Sequence, residues 1–465
     1  MTYPAAIRFL YNLRWFGAKL GLDNSFKLAS LAGNPQNQLR FIHVAGTNGK
    51  GSTCAMLESI YRAAGLRVGL FTSPHLVAFG ERIQVNRRVI SRRDVARLVA
   101  EMRSWLEAGW GTPDSGAHSI RSAHEVVEPE PGVARSAGAE HPTFFEVVTV
   151  MALRYFAEQQ CDLVIWETGL GGRLDSTNIV TPLASVITNI QYDHQKWLGE
   201  TLASIAAEKA GIIKPGIPVL TAAEGAEALQ VIAETARRQD APLTILSHAE
   251  MDRPPLNAIQ LPLLGQHQRM NAAVAVATVR ALASQIPVSD GLIRAGLSRV
   301  HWAGRLQLVT RSRGQQVLLD GAHNVGGAEI LVAAMREYFP SAQPTLVLGI
   351  LRDKDWPGMC DILAPLASRI LLVPVASERS ASPQELAGAC RRANPRAQIM
   401  ECASLGNALA ATATDSFVAV AGSLYLVGEA MEFLHLSPGR GSGERGLNEW
   451  GSTPPAAKPT SLANR

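Results

Sequence analysis

The chain has 465 residues, with 44 basic and 40 acidic side chains, and 47% of its residues are hydrophobic. That length predicts two or three domains, each able to bury its own core, and the apolar content excludes a chain that stays unfolded. A formal net charge of +4, with no clustered Lys/Arg runs, argues against nucleic acid or a membrane surface as a partner.

Near the N-terminus Arg8, Arg14 and Lys19 interrupt the apolar residues, so no export signal is expected. No apolar run reaches the ~20 residues that a spanning helix needs. Five cysteines (Cys54, Cys161, Cys360, Cys390 and Cys402) form no CxxC pair, and their number is odd. Reduced thiols in a cytoplasmic enzyme fit better than a disulfide framework.

In chain order, short β-rich apolar runs at 40–45, 67–72, 162–167, 185–189 and 217–221 alternate with helical patterns such as 52–64 and 146–159. The alternation predicts βαβ units and a mostly parallel sheet. A second series, at 316–320, 345–350, 369–374, 397–401 and 417–421, predicts a second α/β domain. The expected domains are 1–298 and 299–436. The segment 109–142, rich in Gly, Pro, Ser, Ala and Glu, is expected to be an inserted surface loop. The Gly/Ser/Pro-rich tail 437–465 is expected to be disordered.

The first strand runs into Ala45-Gly46-Thr47-Asn48-Gly49-Lys50-Gly51-Ser52, with a helix expected from Thr53. Glycines let backbone N–H groups close on phosphate oxygens, a helix N-terminus adds partial positive charge, and Lys50 supplies a point charge. Val44 stands where the general GxxxxGK[ST] pattern has its first glycine, and Gly51 follows the lysine. The same residues could form an ordinary helix-capped turn, but the order strand, loop, helix favours nucleotide binding.

Three polar segments follow predicted strands, where open α/β sheets bind ligands. They are Thr72-Ser73-Pro74-His75, the stretch from Glu167 through Gly169, Gly171, Gly172, Leu174, Asp175 and Ser176 to Asn178, and Asp193-His194. Glu167 and Ser73 offer oxygen donors of the kind Mg²⁺ prefers. Taken alone, His194 could be a hydrogen-bonded structural residue, and Glu167 a capping or ion-paired carboxylate.

Together these motifs, with Glu208-Lys209-Ala210-Gly211, Gly304-Arg305, 320–324 and 422–429, resemble the folylpolyglutamate synthase and dihydrofolate synthase group of the Mur ligase superfamily. The resemblance runs from about Leu20 to about Met431. It implies a P-loop-type parallel-sheet ATPase domain followed by a smaller Rossmann-like α/β domain. It also implies an ATP-dependent ligase that adds L-glutamate to dihydropteroate or to a folate through an acyl phosphate. Thr47, Asn48, Gly49, Lys50, Gly51 and Ser52 would cradle the ATP phosphates, Asn271 would meet the adenine, and Arg305 and Asp320 would reach the nucleotide from the second domain. Ser73, Glu167 and His194 would hold one or two Mg²⁺ ions, and Lys209 would become an N6-carboxylysine ligand. With Lys50, Glu167 and His194, it would form the catalytic set. The alternative for Lys209 is a plain ion pair.

The same resemblance places the pterin-bearing acid against Asp23, Thr143, Phe144, Phe145, Glu146, Leu174, Asp175 and Ser176. Phe144 and Phe145 could equally be core residues. Val325 stands where the family has proline. The implied protein is a cytoplasmic monomer. A Mur-type ligase acting on a cell-wall nucleotide precursor and a nucleotide-binding regulator without ligase activity are the competing readings.

Overall fold

The computed structural model describes residues 1–13, 21–111, 141–311 and 314–436. The tail 437–465 and positions 112–140 of the expected insertion lie outside the described residues. Two compact units divide the chain. The first holds Met1–His75 and Gly80–Trp302; the second holds Leu76–Phe79 and the chain from Ala303 onward.

In the first unit the strands are β1 (Phe41–Ala45), β2 (Val68–Phe71), β3 (Ile83–Val85), β4 (Arg88–Val89), β5 (Leu163–Glu167), β6 (Ala184–Ile187), β7 (Val219–Thr221) and β8 (Leu243–Ile245). They form one sheet in the order β4-β3-β2-β5-β1-β6-β7-β8. All its pairings are parallel except those of the β3–β4 hairpin. Continuous apolar runs such as Val68–Phe71 are buried throughout, as strands covered on both faces must be. Leu57 and Ile60 on helix Lys50–Ala63 and Val274 and Val279 on helix Gln266–Ala281 pack with Ile42, Val44 and Val186 in one core. Each such fully buried side chain contributes roughly 1.5–3 kcal/mol. Ile187, Ile205, Val219 and Ile232 build a separate cluster.

The chain leaves β1 toward β2 on one side and leaves β6 toward β7 on the other. The tips of β1 and β6 therefore flank a topological switch point, where this class of sheet binds ligands.

The second unit has β9 (Gln307–Thr310), β10 (Gln316–Leu319), β11 (Thr345–Leu348), β12 (Arg369–Leu372), β13 (Gln398–Glu401) and β14 (Phe417–Ala421), in the order β13-β12-β11-β14-β10-β9. Only β9 runs antiparallel to its neighbour. Its core joins Val317, Val347, Leu371, Val420 and Val427, and it includes Val77 from the short segment Leu76–Phe79.

Two local expectations change. The helix after the phosphate loop starts at Lys50, not Thr53, because Gly49 takes a left-handed φ of 84° at the cap and lets the helix begin one residue later. Gly109 and Trp110 close helix Arg92–Trp110 rather than opening a loop. Lys27 Nζ caps the Gly109 carbonyl at 2.6 Å, and the Trp110 indole donates to Asn24 at 3.2 Å.

Candidate active site

The phosphate loop is braced from β6. Thr47 N donates to the Asn189 carbonyl at 2.9 Å and Asn48 N to Asn189 Oδ1 at 2.7 Å. Asn48 Nδ2 reaches Gln191 Oε1 at 2.7 Å, and Thr188 Oγ1 donates to the Asn48 carbonyl at 2.6 Å. Gly46 (φ 147°) leaves no space for a Cβ beside Thr188, and Gly49 is closed off by Asn271. Asn271 thus sits against the loop, from the second turn of its helix. Gly51 lies under the Trp302 indole, and Ser52 is buried. Lys50 Nζ donates to the carbonyls of Gly46 and Thr47, both at 3.0 Å. Thr188, Asn189 and Gln191 were not singled out from the sequence. The available signal was a run of polar residues at the end of an apolar strand.

The loop after β5 meets the end of helix Leu202–Ala210. Arg173 N donates to the Glu208 carbonyl at 2.7 Å, and the two side chains pair at 2.7 Å. A Cβ on Gly172 would lie 2.9 Å from the Glu208 carbonyl and 3.0 Å from that of Lys209. Asn178 Nδ2 bridges the Arg173 and Gly211 carbonyls at 2.9 and 3.1 Å. This packing buries Lys209, whose Nζ donates to the Gly46 carbonyl at 2.8 Å. Burial first, then the nearby charge of Lys50, lowers the Lys209 pKa to about 7, against the opposing pull of Asp193 and Asp175.

Glu167 is buried at the tip of β5, and its Oε2 accepts from Ser73 N at 2.9 Å. His194 lies on the turn after β6, exposed and left-handed at φ 52°, with its ring 3.9 Å from Asp193. Among the described residues no group of three or more His, Cys, Asp and Glu is arranged to hold a metal ion. Ser73 and Glu167 are brought together directly, while His194 comes from a separate turn.

Asp175 is buried and fully engaged. Oδ2 accepts from Gly169 N at 3.0 Å and Leu170 N at 2.7 Å; Oδ1 accepts from Thr177 N at 3.0 Å and from the Thr177 hydroxyl. These four donors match the acceptor capacity of an ionised carboxylate, so Asp175 shapes its loop. Burial raises its pKa while the four bonds oppose the shift. Ser176 Oγ lies 3.1 Å from Thr149 Oγ1, and Leu174 is half-buried.

Thr143 and Glu146 form a capping box at the start of helix Phe144–Glu158, with Thr143 N donating to Glu146 Oε2 at 2.7 Å. Phe144 is buried, 5.7 Å from the Tyr11 ring and 5.4 Å from the Arg82 guanidinium. Phe145 is only half-buried and stands directly over Gly169, where a side chain would collide with its ring. Asp23 is exposed in the first turn of helix Asp23–Leu31.

Comparison with known proteins decides the lineage. The chain is 39% identical over 389 residues to "Dihydrofolate synthase/folylpolyglutamate synthase" of Bacillus subtilis, covering 79% of this chain and 84% of that one. It is 33% identical to "Folylpolyglutamate synthase" of Lacticaseibacillus casei over 93% of this chain and 99% of that one. The chain belongs to the dihydrofolate synthase/folylpolyglutamate synthase family. A solved structure of Escherichia coli FolC in complex with DHPP and ADP superposes with a TM-score of 0.76 at 31% identity, covering 94% of this chain and 98% of that one. The dihydrofolate synthase/folylpolyglutamate synthases are ATP-dependent ligases of the Mur superfamily, and this chain is one of them.

The family model "Mur ligase, glutamate ligase domain" matches residues 304–424, within the second unit. Arg305 and Asp320 both fall in this span. Asp320 is buried, and its two oxygens accept from Leu306 N and Ala322 N, each at 2.9 Å. Those bonds hold Leu306 in left-handed backbone (φ 44°) directly after Arg305, whose Nη1 donates to the Gly304 carbonyl at 3.0 Å. In this synthase Asp320 therefore fixes the turn that presents Arg305.

Proposed function

We propose that this ligase joins L-glutamate to the carboxylate of dihydropteroate and to the terminal γ-carboxylate of a reduced folate, working as a cytoplasmic monomer. The observation that carries the reading is the meeting of three motifs in one place. The phosphate loop, the loop from Gly169 to Asn178 and the turn at Glu208–Gly211 are linked through Lys209, whose ammonium reaches Gly46. A triphosphate at Thr47–Ser52 would thus lie beside the loop assigned to the acid.

An unactivated carboxylate does not condense with an amine. ATP would pass its γ-phosphoryl group to the acid, and glutamate's free amine would attack the acyl phosphate and expel phosphate. The chain contributes position and charge neutralisation. Lys50 and the backbone N–H groups of the glycine loop hold the transferring group. Phe145 offers a face to the flat pterin, while Asp175 acts through the loop that it ties. Asn271 is assigned to the adenine, and Arg305 and Asp320 to the nucleotide.

Mg²⁺ fits the donors present. Ser73 and Glu167 provide hard oxygens, the donor type preferred by an ion that keeps waters and shares substrate phosphates. His194 and a carboxylated Lys209 would complete the set. When bound, the ion neutralises phosphate charge. A neutral Lys209 amine at ordinary pH is the form whose lone pair attacks CO₂, losing a proton to give the carbamate, in keeping with carboxylation there.

The test is ADP formation with dihydropteroate, tetrahydrofolate or a UDP-sugar peptide, each with and without glutamate. Glutamate-dependent release with the pterin acids supports the proposal. Release only with the UDP-sugar peptide defeats it.

A further inference from the structure

His43 is the only polar side chain of β1, and it is completely buried. Its Nε2 lies 3.0 Å from Thr177 Oγ1, and its Nδ1 has no hydrogen-bond partner. The hydroxyl of Thr177 donates its single proton to Asp175 Oδ1. With that proton committed, Oγ1 meets His43 as an acceptor, so the imidazole must carry its hydrogen on Nε2. Burial, helped by Lys214, lowers the His43 pKa to about 3, which leaves the ring neutral under working conditions.

A directed chain results. His43 Nε2–H donates to Thr177 Oγ1, whose O–H donates to Asp175, and Asp175 gathers the amides of Gly169 and Leu170. The Trp166 indole donates to the Thr177 carbonyl at 2.9 Å. Trp166 itself is locked by the Phe71 ring, stacked at 4.4 Å, and by Phe41 at 5.6 Å. An imidazole with an unmatched nitrogen is a costly way to fill a core position. Its one hydrogen bond leads to the loop assigned to the acid substrate.

We propose that His43 is a positioning residue for the ligase reaction: through Thr177 it sets the Asp175 carboxylate, and with it the Gly169–Ser176 backbone that seats the acid. This rests on the assignment of that loop to the pterin-bearing acid. It adds a residue buried inside the sheet that would act through Thr177.

The experiment compares His43→Leu and His43→Gln, and Thr177→Val and Thr177→Ser. Gln and Ser keep a donor where Leu and Val remove it. His43→Leu and Thr177→Val should each raise the KM for dihydropteroate roughly tenfold while that for ATP stays within about twofold, as expected for the loss of one hydrogen bond. Gln and Ser should restore most of the loss. The double variant should be no worse than the worse single one, because both cut the same chain. An unchanged acid KM, or equal rises for acid and ATP, overturns the proposal. If His43→Leu fails to fold, the Thr177 pair carries the same test. ¹⁵N NMR of the wild-type protein should show His43 protonated at Nε2; a proton at Nδ1 overturns the proposal even if the acid proves to be a different compound. Failure of wild-type turnover with any pterin acid, with the Nε2 proton in place, counts against the substrate assignment alone.

Discussion

Lys50 and Lys209 donate to the same backbone oxygen, the carbonyl of Gly46, at 3.0 and 2.8 Å. Two ammonium groups that share one acceptor repel each other. Burial first, with this repulsion added, lowers the Lys209 pKa to about 7. On the reading proposed above, Lys50 serves the phosphates and Lys209 is the lysine that reacts with CO₂.

Lys50→Ala is expected to lower glutamate-dependent ADP release by roughly 10²–10³-fold, the scale for removing a preorganised charge-stabilising group. The fold should survive, because Lys50 is only half-buried. Circular dichroism and thermal unfolding should match wild type. Near-normal turnover in the variant would remove Lys50 from the site.

Activity is expected to fall as pH drops through about 7, where Lys209 takes up a proton and can no longer form a carbamate. The stability effect has a definite sign. Between about pH 7 and the ordinary lysine value of ~10.4, the unfolded chain holds a proton that the folded one has released, so stability rises with pH. Stripping CO₂ from the buffer should reduce the rate, and ¹³C-bicarbonate should restore it with a new carbamate signal. A rate indifferent to CO₂ and lacking that signal leaves Lys209 a plain cation.

Glu167→Gln keeps an acceptor for the Ser73 amide but loses the negative charge. The variant should fold normally and require much more Mg²⁺ for half-maximal rate, roughly tenfold or above. Chelation of Mg²⁺ should silence the wild type. An unaltered Mg²⁺ titration in the variant would rule out Glu167 as a ligand.

Gly172→Ala should disturb two motifs at once. The new methyl would meet backbone oxygens of Glu208 and Lys209, which cannot rotate away. A loss of about 1–3 kcal/mol is expected, as for overpacking, with a fall in activity larger than Ala at exposed Gly291 produces, where a Cβ would meet nothing closer than Ser289 Oγ at 3.8 Å. Equal behaviour of the two variants in urea melts and assays would contradict the close packing.

In the second unit, Asp415 accepts from Arg369 at 2.9 and 3.0 Å and from Thr345 at 2.7 Å. Asp415→Ala strands the half-buried guanidinium and should cost about 2–3 kcal/mol in chemical denaturation. A change below about 0.5 kcal/mol, the usual range for surface substitutions, would show the pair to be incidental.

The buried parallel strands were legible because their apolar runs are nearly unbroken, as in Phe417–Ala421 and in Phe41–Ala45, where His43 alone interrupts. The β3–β4 hairpin was not. Its strands span three and two residues, and they carry Gln84 and Arg88. Edge strands β8 and β9 are partly exposed and lack a full apolar run, so they escaped too. The glycine loop could be read from local spacing. The role of Asp175 could not, since its four donors are visible only once the loop has closed around it. Thr143 and Glu146 stand three apart ahead of an apolar helix, the spacing of a capping box, yet the family resemblance drew attention to substrate instead. His43 looked like one more strand residue, because its partner lies 134 positions away.

The four-residue segment Leu76–Phe79 has a practical consequence. Val77 is built into the core of the second unit although more than two hundred residues separate it from Ala303. A gene fragment that begins at codon 303 would encode a product with a hole where that valine belongs. Supplying the missing piece as a fused peptide, or filling the gap with a larger neighbouring side chain, is the condition for expressing that half as an independent protein.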